Sequence, residues 1–354
     1  MTLQHARLHE VAVFFQTIAE VRAAGGYAPI YQQMAAGCAT DPELLAVAAA
    51  QPGQNPSSLL LGATQFLLAK HSDHPLIRFY PALTGQPSPT GDPYPALRDF
   101  VLAHREQITK IVASRLVQTN EPARSAYLYP ALLTAHHLGG GRPLTLIEIG
   151  PSAGLTLVLD RYAYDYGTGT LHGDPTSPLV LNCALRGDLT PPLHDTLHVA
   201  WRTGVDLHPL DLGEPADRRW LRALIWPDHP DRAERLDLAA RATTRLPLPH
   251  IHPGDATERL PDLIAQAPAD TTVVVFHTAV LAHFTQPARA AFVHQLQQLS
   301  ALRPLTWIQG EPRPDQQPRL RLAQLANGHI QTELPLGRYH PHGAWLEWVQ
   351  HRAH

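Results

Sequence analysis

The stretch LTLIEIGPSAGLTLVLDRY, Leu144 to Tyr162, decides how the chain is read. It reads as an apolar strand, a tight glycine turn and an apolar helix. Two motifs overlap in it. Gly150, Ser152 and Gly154 spell G-x-S-x-G, the turn that exposes a nucleophilic serine after a strand. Glu148, Gly150 and Gly154 spell most of an acidic, glycine-rich first loop, where a turn brings backbone N–H groups against a nucleotide-like ligand.

The surrounding chain frames that choice. Up to about residue 140, apolar residues recur at helical spacing in VAVFFQTIAEV, PELLAVAAA, PSSLLLGATQFLLAKH and PALRDFVLAHREQITKIVASRLV, which predicts helices and no strand. YPALTGQPSPTGDPYP, Tyr80 to Pro95, predicts an exposed loop, and HHLGGGRP, His136 to Pro143, predicts a hinge. Beyond the hinge, short apolar runs alternate with helical ones, as a mainly parallel sheet covered on both faces requires. The expected organisation is a helical domain over 1–140 and an α/β domain over 141–354, with inserts near 165–197 and 212–245. PLVLNCALRG in the first insert reads as a hairpin.

A hydrolase elbow follows several earlier strands and has its oxyanion loop tens of residues upstream. Here the serine follows the first strand, and HHLGGG ends only about ten residues before it. The nucleotide reading instead expects a carboxylate at the end of the second strand, where a ribose diol is bound. RTGVDLHPLD supplies Asp206 at that place. PHIHPGDATERLPDLI then puts Asp255 between a short strand and a helix, ADTTVVVFHTAVLAHF ends a buried strand at His277, and PLTWIQGE ends another at Glu311.

In this order, IEIGPSAG, GVDLHP, GDATERLP and VVVFHTAVLAHF resemble the class I S-adenosylmethionine-dependent methyltransferases. The resemblance implies an α/β, Rossmann-like doubly wound methyltransferase-type sheet of seven strands from about Leu144, with GHIQTELPLGRYHPHGAWLEWV as its final hairpin. It implies cofactor contacts from Glu148, Gly150, Ser152 and Gly154 to the methionine part, from Asp206 to the ribose and from Asp255 to the adenine. Over nearly the whole chain, GPSAGLTLVLDRYAYDYG, RTGVDLHPLD and WLRALIWPDHPDRAERLDLAA resemble a bacterial family known as domain of unknown function 2332.

The expected function is S-adenosylmethionine-dependent methyl transfer to an unidentified small molecule or protein side chain. Methyl transfer chiefly needs alignment, with a base where the acceptor carries a proton. His277 is the candidate base, and Glu311, with Arg313, the candidate substrate reader. Each also has a structural reading: a histidine satisfied within the fold, a strand-end ion pair and, for Asp206 and Asp255, caps of the following turn or helix. Ser152 replaces the usual middle glycine and follows Pro151, which supports an alternative: a non-catalytic, degenerate methyltransferase fold that binds a nucleotide-like ligand or a partner. A serine hydrolase using Ser152 is the third reading.

Composition excludes other classes. The chain has 354 residues, 44% apolar, with a formal net charge of -3 and no block of like charges, so no nucleic acid partner is expected. No run of about 18 apolar residues occurs and the N-terminus lacks a signal-peptide pattern, so no membrane association is expected. Cys38 and Cys183 form no disulfide framework, consistent with a cytoplasmic location. Despite 22 histidines, pairs such as His5 with His9, His71 with His74, His250 with His252 and His340 with His342 make no zinc motif, and no metal is expected.

Overall fold

The computed structural model describes residues 3–20, 28–243, 248–313 and 316–349. In chain order, α1 (Leu3–Glu20), α2 (Pro29–Ala39), α3 (Pro42–Ala48), α4 (Pro56–Leu68), α5 (Pro81–Thr84), α6 (Tyr94–Ala103), α7 (Arg105–Ser114) and α8 (Ser125–Leu138) precede β1 (Leu144–Ile149). Then come β2 (Ala163–Asp165), β3 (Leu171–Gly173), β4 (Val180–Asn182), β5 (Ala184–Arg186), β6 (Val199–Asp206), α9 (Pro215–Ala223) and α10 (Pro230–Thr243). The last elements are β7 (His250–Pro253), α11 (Ala256–Gln266), β8 (Thr272–Thr278), α12 (Gln286–Ser300), β9 (Leu305–Arg313), β10 (Gln316–Ala326), β11 (His329–Tyr339) and β12 (Trp345–Trp348). Among the described residues no strand precedes β1, and no helix is long and apolar enough to cross a membrane.

The chain forms two units: residues up to Thr119 with Asp211–Leu236, and Asn120–Leu210 with the chain from Asp237 onward. The first unit is helical because its stripes are apolar, and side chains cap the starts of α3 and α4. Asp41 accepts from the Glu43 and Leu44 N–H groups at the start of α3, and Asn55 accepts from Ser58 at the start of α4. The start of α2 has no capping side chain of its own. Asp228, from the distant segment, accepts from Ile30 and Tyr31 N–H at 2.9 and 3.0 Å. Trp226 stacks on Tyr31 with ring centroids 4.2 Å apart. Part of the insert expected near 212–245 thus completes the helical unit, and α8 belongs by sequence to the strand-bearing unit, ahead of the punctuation at His136–Pro143.

The second unit is built on a nine-stranded, mostly parallel sheet of order β5-β12-β11-β10-β9-β8-β1-β6-β7. The run β7-β6-β1-β8-β9 is parallel throughout, and β10, β11 and β12 continue as an antiparallel meander. Asn327 and Gly328, both at positive φ, turn β10 into β11, as a two-residue hairpin demands. β1 and β8 are buried along their whole length, so they read as continuous apolar runs. On one face Ile147, Ile149, Val273 and Val275 pack with Leu260 and Leu263 of α11 and Phe292 and Leu296 of α12. α8 packs against β8, β9 and β10.

Three expectations need correction. The sheet has nine strands, not seven. The segment PLVLNCALRG is no hairpin: β4 joins β2 and β3 in a separate three-stranded sheet, whereas β5 pairs in parallel with β12 at the edge of the large one. Cys183 is the divide, its N–H donating to the Asp165 carbonyl while that of Ala184 donates to Ala344. Finally, no α-helix follows the glycine turn; turns lead into a 3₁₀ segment, Leu159–Arg161. The backbone there is satisfied by tertiary partners instead of its own i−4 carbonyls. Leu155 N–H donates to Asn120, and the Leu155 and Leu157 carbonyls accept from Tyr162 Oη and Arg202.

Candidate functional site

The parallel run changes direction of winding between β1 and β8, and the loops at the carboxyl ends of those strands meet there. Gly150, with φ +68°, extends the β1–β6 ladder by donating to the Val205 carbonyl at 2.8 Å. A Cβ at Gly150 would stand 2.7 Å from a methyl of Val280, so only glycine lets the loop after β1 pass the loop after β8. Ala279 in that second loop is itself left-handed, at φ 56°.

The glycine loop then folds over β6 and β7. Pro151 covers Gly204, whose missing Cβ would meet its ring at 2.6 Å, and Gly154 lies against Ile251 and Pro249. Ser152 is buried and left-handed, at φ 55°. Its N–H donates to Asp206 Oδ2 at 2.8 Å, and Asp206 Oδ1 accepts from His208 N–H at 2.9 Å. Asp206 therefore stands where the sequence places it, at the end of the strand beside β1, and also braces the loop. Asp255 is the N-cap of α11 and accepts from the Thr257 N–H at 2.7 Å.

Glu148 and His277 lie on opposite faces of the sheet. Ile147 and Ile149 belong to the core formed with α11 and α12, so Glu148 between them faces the other way. There it is 2% exposed. Thr156 donates to its Oε1 at 2.5 Å, while Oε2 is buried with no hydrogen-bond partner. Burial pushes the Glu148 carboxyl up to about 8, against the Thr156 hydrogen bond and the nearby Arg124 charge. At neutral pH it is mainly a protonated acid, a donor with an unused O–H. Arg124, before α8, donates to the Thr278 carbonyl at 3.3 Å. Tyr127 stacks on Tyr339 at 4.0 Å, and Tyr339 Oη is another buried atom without a partner.

On the other face, His277 is fully buried beside Phe292. Its Nε2 accepts from Trp307 Nε1 at 3.1 Å, which places the proton on Nδ1, 2.6 Å from Glu311 Oε1. The same oxygen accepts from Val280 and Leu281 N–H at 2.9 and 3.2 Å. Burial raises the Glu311 carboxyl, but the hydrogen bonds from His277, Val280 and Leu281 outweigh it and hold it below the usual carboxylate range. Both His277 nitrogens are thus engaged, with Glu311 and Trp307. The side chain of Arg313 lies outside the described residues.

Sequence reading missed Arg124, Tyr127, Thr156, Trp307 and Tyr339. Thr156 and Trp307 stand within the motif stretches and Tyr339 within the stretch read as the final hairpin; Arg124 and Tyr127 reach the site through packing of α8, which leaves no local signal. A separate cleft of about 570 Å³ opens at the other edge of the sheet, where Pro143 leads into β1 and His198 into β6, with Tyr129, Asp160 and Asp174 among its walls. No curated protein matches the chain in sequence. The profile of the family described as an uncharacterized protein conserved in bacteria, DUF2332, matches residues 13–348, and the chain belongs to that family.

Proposed function

We propose that this protein binds S-adenosylmethionine at the carboxyl ends of β1, β6 and β8 and acts as a Rossmann-like methyltransferase on a small molecule or a protein side chain. One observation carries the reading. In the order β7-β6-β1-β8-β9 the winding reverses between β1 and β8, and open α/β sheets bind ligands at that reversal, outside the carboxyl ends of the strands. Gly150 and Asp206 both stand there. The unpartnered, protonated Glu148 beneath the loop fits a ligand that offers an acceptor.

When bound, the cofactor supplies a methyl group already activated by its sulfonium. The chain's own residues bind and orient. Gly150, Ser152 and Gly154 form the loop, Glu148 donates from below, Asp206 offers carboxylate lone pairs to the ribose hydroxyls, and Asp255 borders the adenine side. His277 is a positioning residue that fixes Glu311, and Glu311, ionised, reads a donor or a cation on the acceptor. A carboxylate held this acidic is a poor proton acceptor at neutral pH.

A second reading, ligand binding without catalysis, is favoured by the loop itself: Ser152 N–H is spent on Asp206 and no helix follows to direct N–H groups at a ligand. Calorimetric titration with S-adenosylmethionine and S-adenosylhomocysteine tests both. Absence of heat and of a thermal shift at millimolar ligand overturns the cofactor assignment. Given binding, Asp206→Ala should weaken it on the order of 10 to 100-fold, the value of a charge-assisted hydrogen bond of about 1.5–3 kcal/mol. Unchanged affinity moves the ribose elsewhere. Binding with no methyl transfer across a broad acceptor panel favours the second reading.

A further inference from the structure

We propose that His137, His194 and Asp195 bind a divalent transition-metal ion, zinc being the best match. The site lies at the edge of the sheet opposite the candidate cofactor loop and does not depend on that function.

His137 lies in the last turn of α8, and His194 and Asp195 lie in the loop before β6. One ligating atom from each residue falls within 4.8 Å of the others. His137 Nε2 is already hydrogen-bonded to Asp195 Oδ2, and the His194 ring lies 5.9 Å from that of His137 with 18° between their planes. In a tetrahedral zinc site with bonds near 2.0–2.1 Å, ligand atoms stand roughly 3.3 Å apart, so no pair has to close by more than about 1.5 Å, and the hydrogen-bonded His137–Asp195 pair opens to admit the ion. All three side chains are exposed and can make that adjustment by rotation.

Two imidazoles and a carboxylate suit zinc among the available divalent ions and leave a fourth position for water or a ligand. The neighbouring His136 is tied through Nδ1 to the Arg142 carbonyl at 2.9 Å, which steadies the end of α8. Asp195 runs directly into Thr196, Leu197 and His198, which line the cleft. Local spacing hides this grouping, because His137 and Asp195 are 58 residues apart.

The test is calorimetric titration of the full chain, freed of metal by a chelator, with zinc sulfate, alongside cobalt titration followed by its visible absorption. One saturable site is expected, with the absorption of low-coordinate cobalt. Asp195→Asn should weaken zinc by at least about 10 to 100-fold, as loss of even an outer partner does, and His137→Ala/His194→Ala should abolish the site. His329→Ala, a histidine outside the group, serves as control. Metal-free melting of each variant should match the wild type, because the altered side chains are exposed. The proposal is overturned if no saturable binding is found at submillimolar zinc, or if it persists in the double variant.

Discussion

Two glutamates at the carboxyl ends of parallel strands have opposite chemistry. Glu148 ends β1 on the α8 side with a single donor, Thr156, and an oxygen left unpaired. Glu311 follows the last residue of β9 paired with β8, on the α12 side, with three donors on one oxygen. Burial raises both carboxyls. Only Glu311 has enough donors to reverse the effect, so it stays ionised while Glu148, pushed to about 8, holds its proton at neutral pH. Donor count, more than depth, decides the charge.

The largest effect is expected on the paired side. Glu311→Ala removes the acceptor of the His277 Nδ1–H and of two backbone N–H groups, and should cost about 2–5 kcal/mol in urea unfolding. A loss below about 1 kcal/mol would mean that water or another side chain replaces the carboxylate, and the contrast between the glutamates would weaken.

Glu148→Gln sharpens the comparison through pH. A carboxyl raised from its unfolded value contributes stability that is fully present below about pH 4.5 and is lost as pH rises through about 8. Within that window Glu148 lowers wild-type stability by up to about 1.4 kcal/mol per pH unit, and glutamine should remove that slope. Glu311 has the opposite sign: its lowered carboxyl stabilises above the usual carboxylate range, and the stabilisation is lost as pH falls through its folded value. Equal slopes for wild type and Glu148→Gln between pH 5 and 8 would show that Glu148 has a partner in solution.

The smallest effect belongs to Ser152→Gly. A left-handed serine is strained by about 1–2 kcal/mol, and the extra freedom of glycine in the unfolded chain and the loss of the hydroxyl offset the relief, so a net change within about 1 kcal/mol is expected from thermal melting. A clear loss would mean that the Ser152 hydroxyl, and not only its N–H, holds the loop to β6.

Much of the fold was legible before the structure because burial and periodicity are local signals. β1, β6, β8 and β9, the helices α4, α9, α11 and α12, and the acids at the ends of β6 and β9 all stand where short stretches of sequence place them. What failed was also physical. LTLVLDRY has a helical pattern, yet Asn120 and Arg202 bond its backbone from outside and the hydroxyl of its own Tyr162 folds back onto the Leu155 carbonyl, so hydrogen bonds made in the folded chain override a weak local preference. PLVLNCALRG has two strand-like halves, but no local feature states that they join different sheets.

The sequence by itself determined the period, the glycine turn, the order of the strand-end acids and the membership that residues 13–348 show. Tertiary structure alone decided which groups meet: Asp206 with Ser152, Glu311 with His277 and Trp307, and Asp228 with the start of α2. It also set His137 beside His194 and Asp195. The reason is range. Propensity and periodicity act over a few residues, whereas the charge of a buried carboxyl and the ligands of an ion depend on partners delivered by packing from tens to hundreds of residues away.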